Sequence, residues 1–262
     1  MGQTSRESIA AYDAQADHWA DYLKSGKNLA HRYIEKPAMY DLLPDLAGKT
    51  VLCIGCGTGE EVAELAKRKP KRLIGIDLSE GMIRKAKEQY PKLDLRVMDM
   101  EELDFPNQTF DFIYSSLTIH YVPDWTPVLA EWAGVLKRGG EILLSAQHPA
   151  FFGAEYRYHR LFGYRRNLGY SFNRLFRRVT THGNYFDTRR LVNHHRAGGR
   201  RVKLINYHQS FEAMLRYIQG TELQVVTLTE PRPTAEAAAD NPRWAELAGV
   251  VPQFVIFKLR KP

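Results

Sequence analysis

The stretch VLCIGCGTGEEV, residues 51–62, joins a short apolar run to a glycine-rich turn and then to a helical pattern. The apolar residues 51–54 are typical of a strand that is buried on both faces. The turn carries three glycines in five positions, Gly55, Gly57 and Gly59. Glycine adopts positive φ and lets the backbone approach a ligand closely, so this turn predicts a nucleotide site at the start of a helix. The alternative is a tight turn that binds nothing. That alternative is less favoured, because three glycines raise the entropic cost of folding and no ligand would then require them.

The residue that follows the turn bears on which nucleotide it accepts. A dinucleotide-binding G-x-G-x-x-G turn needs Gly or Ala at position 60, where this chain has the carboxylate of Glu60. A P-loop needs Gly-Lys-Ser/Thr after its glycines, and that sequence does not follow. The turn therefore favours a nucleoside without phosphate. S-adenosylmethionine fits, because it has a ribose, an adenine and an amino acid end.

Further strands alternate with helices along the first 150 residues. We expect a second strand within 72–79 that ends in Asp77 and a third within 93–103 that ends in Asp99. A fourth strand is expected at 110–122 and a fifth at 139–149, after a helix at 126–137. A C-terminal helix and two closing strands follow, so seven strands are predicted in all. The predicted fold is α/β, a Rossmann-like seven-stranded, mostly parallel sheet with helices on both faces and an inserted cap after the fifth strand. Ligands bind at the carboxyl ends of such strands, which is where the sequence places Gly55, Asp77, Asp99, Ser115 and His148.

Four motifs in combination resemble the class I S-adenosylmethionine-dependent methyltransferases, in the group that includes the ubiquinone- and biotin-pathway enzymes. They are VLCIGCGTG, GIDLSEGMIRKAKE, VMDMEELDFPNQTFDFIYSSLTIHYV and VLKRGGEILLS. The resemblance covers residues 30–150 strongly and 205–262 more loosely.

The resemblance implies a cofactor site with a role for each matching residue. The turn of Gly55, Cys56 and Gly57 would shape the cofactor pocket, and Asp77 would hold the ribose hydroxyls. The remaining implied contacts are Leu78, Met82 and Met100 beside the adenine, Asp99 at its amino group, Ser115 and Ser116 at the methionyl end, and His120 near the methyl group. The family usually has Asp or Glu at position 53, near the methionine amino group, and this chain has Cys53 instead. Glu60 or a water would then replace that contact.

Cys53 and Cys56 are the two cysteines of the chain and form a CxxC. A redox CxxC lies at a helix start, whereas Cys53 falls within a predicted strand, and a zinc site needs a second pair. We therefore expect neither a redox role nor a metal site. Two cysteines, no secretory signal and no apolar run near 18 residues predict a cytoplasmic location and no membrane span.

The chain is predicted to be a single methyltransferase domain over residues 1–262, with additions at two places. Residues 1–30 form a helical cover, because Tyr12, Ala16, Trp19 and Leu23 follow helical spacing. That helix either covers the cofactor or only packs on the sheet.

The second addition, residues 150–205, is a basic and aromatic insertion. Residues 155–203 contain 13 Lys and Arg residues and only two acidic residues, Glu155 and Asp187, which gives a net charge of +11. The whole chain has a net charge of +7. Three interpretations stay open. The segment is a lid over the acceptor site, a solvated surface with an aromatic underside, or a patch for nucleic acid or membrane.

Methyl transfer to an oxygen or nitrogen requires that a proton be removed, and histidine has a suitable pKa. His120, His148 and His208 all follow predicted strands or the insertion and are the candidate bases. The predicted function is methyl transfer from S-adenosylmethionine to a small-molecule acceptor, acidic or not, through an O, N or C nucleophile. The alternatives are an RNA methyltransferase that uses the arginine-rich insertion, although nucleic acid is the less favoured partner, and a catalytically silent adenosylmethionine-binding protein.

Overall fold

The computed structural model describes residues 6–26, 28–152, 155–159, 163–167, 169–173, 178–182, 185–197 and 200–262. The helices α1 to α9 span, in chain order, Arg6–Lys24, Lys36–Asp41, Glu60–Ala66, Glu80–Gln89, Thr126–Val135, Pro149–Phe152, Phe211–Gln219, Ala235–Asp240 and Pro242–Ala248. The strands β1 to β13 span Thr50–Ile54, Arg72–Asp77, Asp94–Val97, Phe110–Ser115, Leu136–Gln147, Glu155–His159, Gly163–Asn167, Gly169–Asn173, Arg178–His182, Arg189–Ala197, Arg200–His208, Gln224–Thr229 and Phe254–Arg260. A π-helical turn at His31–Glu35 precedes α2, and a 3-10 turn lies at Ile119–Tyr121.

Seven strands form the central sheet in the order β12-β13-β5-β4-β1-β2-β3. Strands β3, β2, β1, β4 and β5 are parallel, and β13 runs antiparallel to both β5 and β12. Leu52 in β1 lies opposite Ile74 and Ile113, so β1 is central and flanked on both sides. The predicted α/β sheet is confirmed. Crossovers between parallel strands require covering helices, which explains the alternation seen in the sequence.

The two faces of β1 belong to two separate core layers. Leu52 and Ile54 pack with residues of α5 and α7 on one face. Val51 and Cys53 pack with residues of α3 and α4 on the other face. Because side chains alternate along a strand, a fully apolar β1 is what a two-sided sheet requires.

Several element bounds differ from those predicted. The third strand ends at Val97, so Asp99 lies two residues beyond it. The fourth strand ends at Ser115, since Leu117 adopts a φ of 51° that breaks the extended backbone. The fifth strand begins at Leu136, directly after α5. Residues 231–249 hold two short helices, α8 and α9.

The insertion after β5 begins with the short helix α6, and three two-stranded antiparallel ribbons follow, β6–β7, β8–β9 and β10–β11. The last strand of the third ribbon joins α1, because the Ser8 hydroxyl donates to the Ile205 carbonyl at 3.1 Å and accepts from the Ile205 amide at 2.8 Å. Most side chains of the predicted lid, residues 150–205, lie outside the described part, so its role stays a prediction. The described helices include none that is both long and apolar enough to cross a membrane.

Candidate active site

The glycine turn after β1 has the backbone conformation that its sequence predicts. Gly55, Gly57 and Gly59 have φ angles of 70°, 49° and 90°, which other residues rarely adopt. A Cβ atom at Gly55 would lie 2.0 Å from the Thr118 hydroxyl oxygen, whereas one at Gly57 would meet no described heavy atom within 4 Å. Gly55 is therefore required by packing, while Gly57 faces open space where a ligand can approach the backbone.

Asp77, at the end of β2, holds this turn in place. Its carboxylate accepts hydrogen bonds from the backbone amides of Gly57 and Ser79, both at 2.9 Å. Burial raises the pKa of Asp77. The Ser79 hydroxyl and the Gly81 amide in turn donate to Asp13 of α1 at 2.6 and 3.0 Å. The carboxylate thus links the glycine turn to the next strand, and α1 closes over the same region.

A cavity of about 470 Å³ opens at this edge of the sheet. Its size and its mixed apolar and polar wall are those of a small-molecule site. The predicted cofactor residues that line it are Gly55, Cys56, Gly57, Asp77, Leu78, Met82, Met100 and His120. Ser116 lines it as well. The turn and the ends of β2 and β4 thus meet at one place, as the parallel topology predicts.

Four of the predicted site residues do not line this cavity: Asp99, Ser115, His148 and His208. Asp99 accepts from the Glu101 amide at 2.9 Å within its own loop. His148 Nε2 lies 2.7 Å from a Glu230 carboxylate oxygen, and His208 Nε2 lies 3.0 Å from the Tyr185 carbonyl. In the sequence His148 follows a predicted strand and His208 follows the insertion, but their ring nitrogens contact Glu230 and the Tyr185 carbonyl and do not face the cavity.

His120 is the predicted base that reaches the cavity. It is 4% exposed, and burial lowers its pKa to about 3. Its Nδ1 atom has no hydrogen-bond partner among the described residues. The ring lies 4.7 Å from that of Tyr121, whose hydroxyl contacts the Tyr12 hydroxyl. His120 is therefore neutral at physiological pH, and its buried Nδ1 is left without a partner among the described residues.

Helix α1 contributes side chains to the cavity that were not predicted as site residues. They are Ser8, Ile9, Tyr12, Gln15, His18, Trp19 and Tyr22. Tyr12 and Trp19, seven residues apart, make an edge-to-face contact with ring centroids 5.9 Å apart. The helical spacing of these residues predicted a helix over residues 1–30. The same spacing is expected for a helix that covers the cofactor and for one that only packs on the sheet, so it did not predict these site residues. Leu23 lies outside the part whose side chains are described.

A buried polar cluster forms the wall beside the turn. His31 Nε2 lies 3.1 Å from Glu35 Oε2 and 3.4 Å from Glu61 Oε1. Burial acts to lower the pKa of His31, but the two carboxylates outweigh it and raise the pKa to about 9. His31, Glu61 and Glu60 line the cavity. No motif in the sequence indicated this cluster, because Glu61 is separated from the other two by β1.

Cys53, in β1, belongs to the core layer that packs with α3 and α4. Its side chain is fully buried in an apolar layer and does not line the cavity. Burial raises the pKa of both the Cys53 and the Cys56 thiols, and both are free. A thiol of raised pKa is a poor nucleophile, so neither has the properties of a redox cysteine.

Comparison with known proteins bears on the family. A family model described as a methyltransferase domain matches residues 52–144, which span the glycine turn, Asp77 and most of the cavity wall from β4. Residues 52–144 are a class I S-adenosylmethionine-dependent methyltransferase domain. The resemblance inferred from the four motifs is confirmed, and so is the cofactor of that family, S-adenosylmethionine.

Individual relatives agree with this assignment. The chain is 32% identical over 160 residues to 27-O-demethylrifamycin SV methyltransferase of Amycolatopsis mediterranei, a match covering 54% of this chain and 58% of the relative. It is 37% identical over 111 residues to trans-aconitate 2-methyltransferase of Deinococcus radiodurans, covering 42% and 41%. An S-adenosylmethionine-dependent methyltransferase structure from Mesorhizobium loti shares the fold, with a TM-score of 0.66, 22% identity and coverage of 86% and 97%. The methyltransferase domain thus spans about half the length of these curated relatives.

Proposed function

We propose that this protein transfers the methyl group of S-adenosylmethionine to an O, N or C nucleophile of a small-molecule acceptor. The observation that carries the proposal is the cavity in which the open backbone at Gly57, the Asp77 carboxylate and His120 meet. Two methyltransferases named for small-molecule acceptors are among its relatives. The free, buried thiols of Cys53 and Cys56 fit a reducing cytoplasm.

The donor's nucleoside would lie across the glycine turn. Asp77 is placed to accept from ribose hydroxyls while it holds the amides of Gly57 and Ser79. Met82 and Met100 offer an apolar, polarizable surface for the adenine ring. The Glu60 carboxylate, held by the Thr58 hydroxyl at 2.7 Å, lies in the wall where a dinucleotide would need its pyrophosphate. Repulsion between these anions favours a donor without phosphate.

His120 would act on the acceptor. Methyl transfer breaks the bond between the sulfonium sulfur and the methyl carbon, forms a bond between that carbon and the acceptor atom, and releases any proton which that atom carried. A base works best when its pKa lies near the operating pH, and burial keeps the pKa of His120 at about 3. Its free Nδ1 is therefore suited to hold the acceptor's O–H or N–H by a hydrogen bond and to orient the nucleophile.

An acidic acceptor is part of this proposal. Lys36 lines the cavity together with His31 and His18 and offers an ammonium group to a carboxylate. Acceptor carboxylates are nucleophiles that need no base, which is consistent with a cavity whose predicted base has a low pKa.

The proposal is tested by incubating the protein with methyl-labelled S-adenosylmethionine and a panel of small carboxylic acids, phenols and amines. Labelled product from one class, with S-adenosylhomocysteine formed in equal amount, is the expected result. We expect His120→Asn to lower kcat at least about tenfold through loss of one hydrogen bond, and His148→Asn, outside the cavity, to leave it within about twofold. Label transfer to RNA alone would favour the RNA methyltransferase. Tight donor binding without transfer to any acceptor would favour the silent binding protein.

A further inference from the structure

The cluster of His31, Glu35 and Glu61 has the spacing of a metal site. Its three candidate ligand atoms, His31 Nε2, Glu35 Oε2 and Glu61 Oε1, all lie within 4.8 Å of one another. Two ligand atoms bound to one ion at about 2.1 Å are about 3.0–3.4 Å apart in octahedral or tetrahedral geometry. The imidazole nitrogen lies 3.1 and 3.4 Å from the two carboxylate oxygens, which matches that spacing.

These three atoms are buried without hydrogen-bond partners among the described residues. Glu35 is fully buried and Glu61 is 8% exposed. Two buried carboxylates are costly unless a cation and well-directed hydrogen bonds compensate them. The imidazole lies within ion-pair distance of both, but neither contact has hydrogen-bond geometry. Well-directed hydrogen bonds to these three atoms are therefore missing among the described residues.

The surroundings fix the orientation of the cluster. Glu35 Oε1 accepts from the hydroxyls of Ser116 and Ser145 at 2.9 and 2.6 Å, which leaves Oε2 for the cluster. Such outer hydrogen bonds orient carboxylate ligands in metal sites. His31 and Glu35 lie four residues apart on the π-helical turn, a rare conformation that is frequent at functional sites. The Tyr114 hydroxyl, on a fully buried side chain, has no partner among the described residues either.

We propose that His31, Glu35 and Glu61 bind one divalent transition-metal ion in the wall of the cavity. One imidazole and two carboxylates suit zinc or manganese better than calcium, which takes six to eight oxygen ligands. His31 and Glu61 line the cavity, so the proposed ion would lie beside the space where an acceptor would bind. An ion there supplies Lewis acidity to an acceptor oxygen. This inference goes beyond the proposed methyl transfer and is tested without donor or acceptor.

The test uses the full chain after treatment with a chelator, with far-ultraviolet circular dichroism to confirm that it is folded. Mn²⁺ and then Zn²⁺ are titrated separately by calorimetry, and the electron paramagnetic resonance signal of free Mn²⁺ gives an independent count. Mn²⁺ comes first because it does not favour the thiolates of Cys53 and Cys56. The expected result is one ion per chain with a Kd in the micromolar range or below, and a higher Tm in its presence.

Glu61→Gln and His31→Gln keep the shape of the cluster and should weaken binding at least tenfold. Glu88→Gln removes the same charge from the exposed face of α4 and is the matched control, which should bind as the wild type does. Absence of binding to the folded wild type at millimolar ion would overturn the proposal, whatever the variants do. Equal binding by wild type, Glu61→Gln and His31→Gln would also overturn it, because the ion would then bind elsewhere. In both cases the cluster is an ion triad around a protonated His31, and the proposed methyl transfer stands.

Discussion

Gly55 and Gly57 are only two positions apart, but the structure predicts that alanine has different effects at the two sites. Both have positive φ, 70° and 49°, so alanine costs about 1–2 kcal/mol of backbone strain at either one. At Gly55 the new Cβ would also lie 2.0 Å from the Thr118 hydroxyl oxygen and 2.7 Å from Thr118 Cβ. Overpacking of this kind costs about a further 1–3 kcal/mol. Gly55→Ala should therefore lower the free energy of unfolding by roughly 2–5 kcal/mol, and Gly57→Ala by about 1–2 kcal/mol.

Ligand binding should show the opposite order. The Cβ of Gly57→Ala would project into space that no described atom occupies within 4 Å, which is where the donor is proposed to approach. We expect a loss of S-adenosylhomocysteine affinity of at least tenfold in this variant, although it remains well folded. Urea unfolding followed by tryptophan fluorescence measures the stability of both variants, and calorimetry measures the affinity.

A double variant tests whether contact with Thr118 causes the additional loss of stability in Gly55→Ala. Thr118→Gly removes the three atoms nearest to the new Cβ, so Gly55→Ala in the Thr118→Gly background should cost little beyond the backbone strain of about 1–2 kcal/mol. The reasoning is refuted if Gly55→Ala is no more destabilising than Gly57→Ala, or if the Thr118 substitution leaves its cost unchanged.

Three further predictions concern the walls of the site. Cys53→Asp should lower the free energy of unfolding by several kcal/mol in a denaturant titration, because it buries a carboxylate in an apolar layer; a stable variant that binds S-adenosylhomocysteine more tightly would show that position 53 faces the cofactor. The neutral, buried His120 should make the wild type lose stability as pH falls from 6.5 toward 3, by up to about 1.4 kcal/mol per pH unit, since only the unfolded state binds this proton; His120→Asn should lack that component, and identical slopes for the two proteins between pH 6 and 4 would count against it. Asp13→Ala removes the acceptor of Ser79 and Gly81 and should weaken S-adenosylhomocysteine binding several-fold in calorimetry; unchanged affinity would mean that α1 only packs on the sheet.

The fold could be predicted from the sequence because its signals are local. A continuous apolar run such as 51–54 is needed for a strand covered on both faces, and positive φ at three turn positions needs glycine. The parallel arrangement of the first five strands follows from the alternation of strands and helices. The ends of the strands were predicted less accurately than their positions. Beyond the end of β4, Leu117 has a positive φ, and a leucine in the sequence gives no indication of that backbone conformation.

The site was harder to predict because side-chain direction is set by tertiary packing. His148 and His120 both follow strands at the same sheet edge, but Glu230 from a distant segment engages the ring of His148. The cluster of His31 with Glu61 joins residues 30 positions apart, through a π-helical turn that has no periodic signature. Position in sequence predicted which edge of the sheet is used and most of the cofactor residues that line the cavity, but not which of the three histidines reaches it.

The central claim is that the cavity binds the methyl donor through the glycine turn and Asp77, and titration calorimetry with S-adenosylhomocysteine and NAD tests it most directly. The account predicts one S-adenosylhomocysteine per chain, no heat from NAD, and a loss of about 1.5–3 kcal/mol of binding free energy in Asp77→Asn, the range for hydrogen bonds to a charged group. Binding of NAD without binding of S-adenosylhomocysteine would contradict the account, and so would an Asp77→Asn variant that folds and binds S-adenosylhomocysteine as tightly as the wild type.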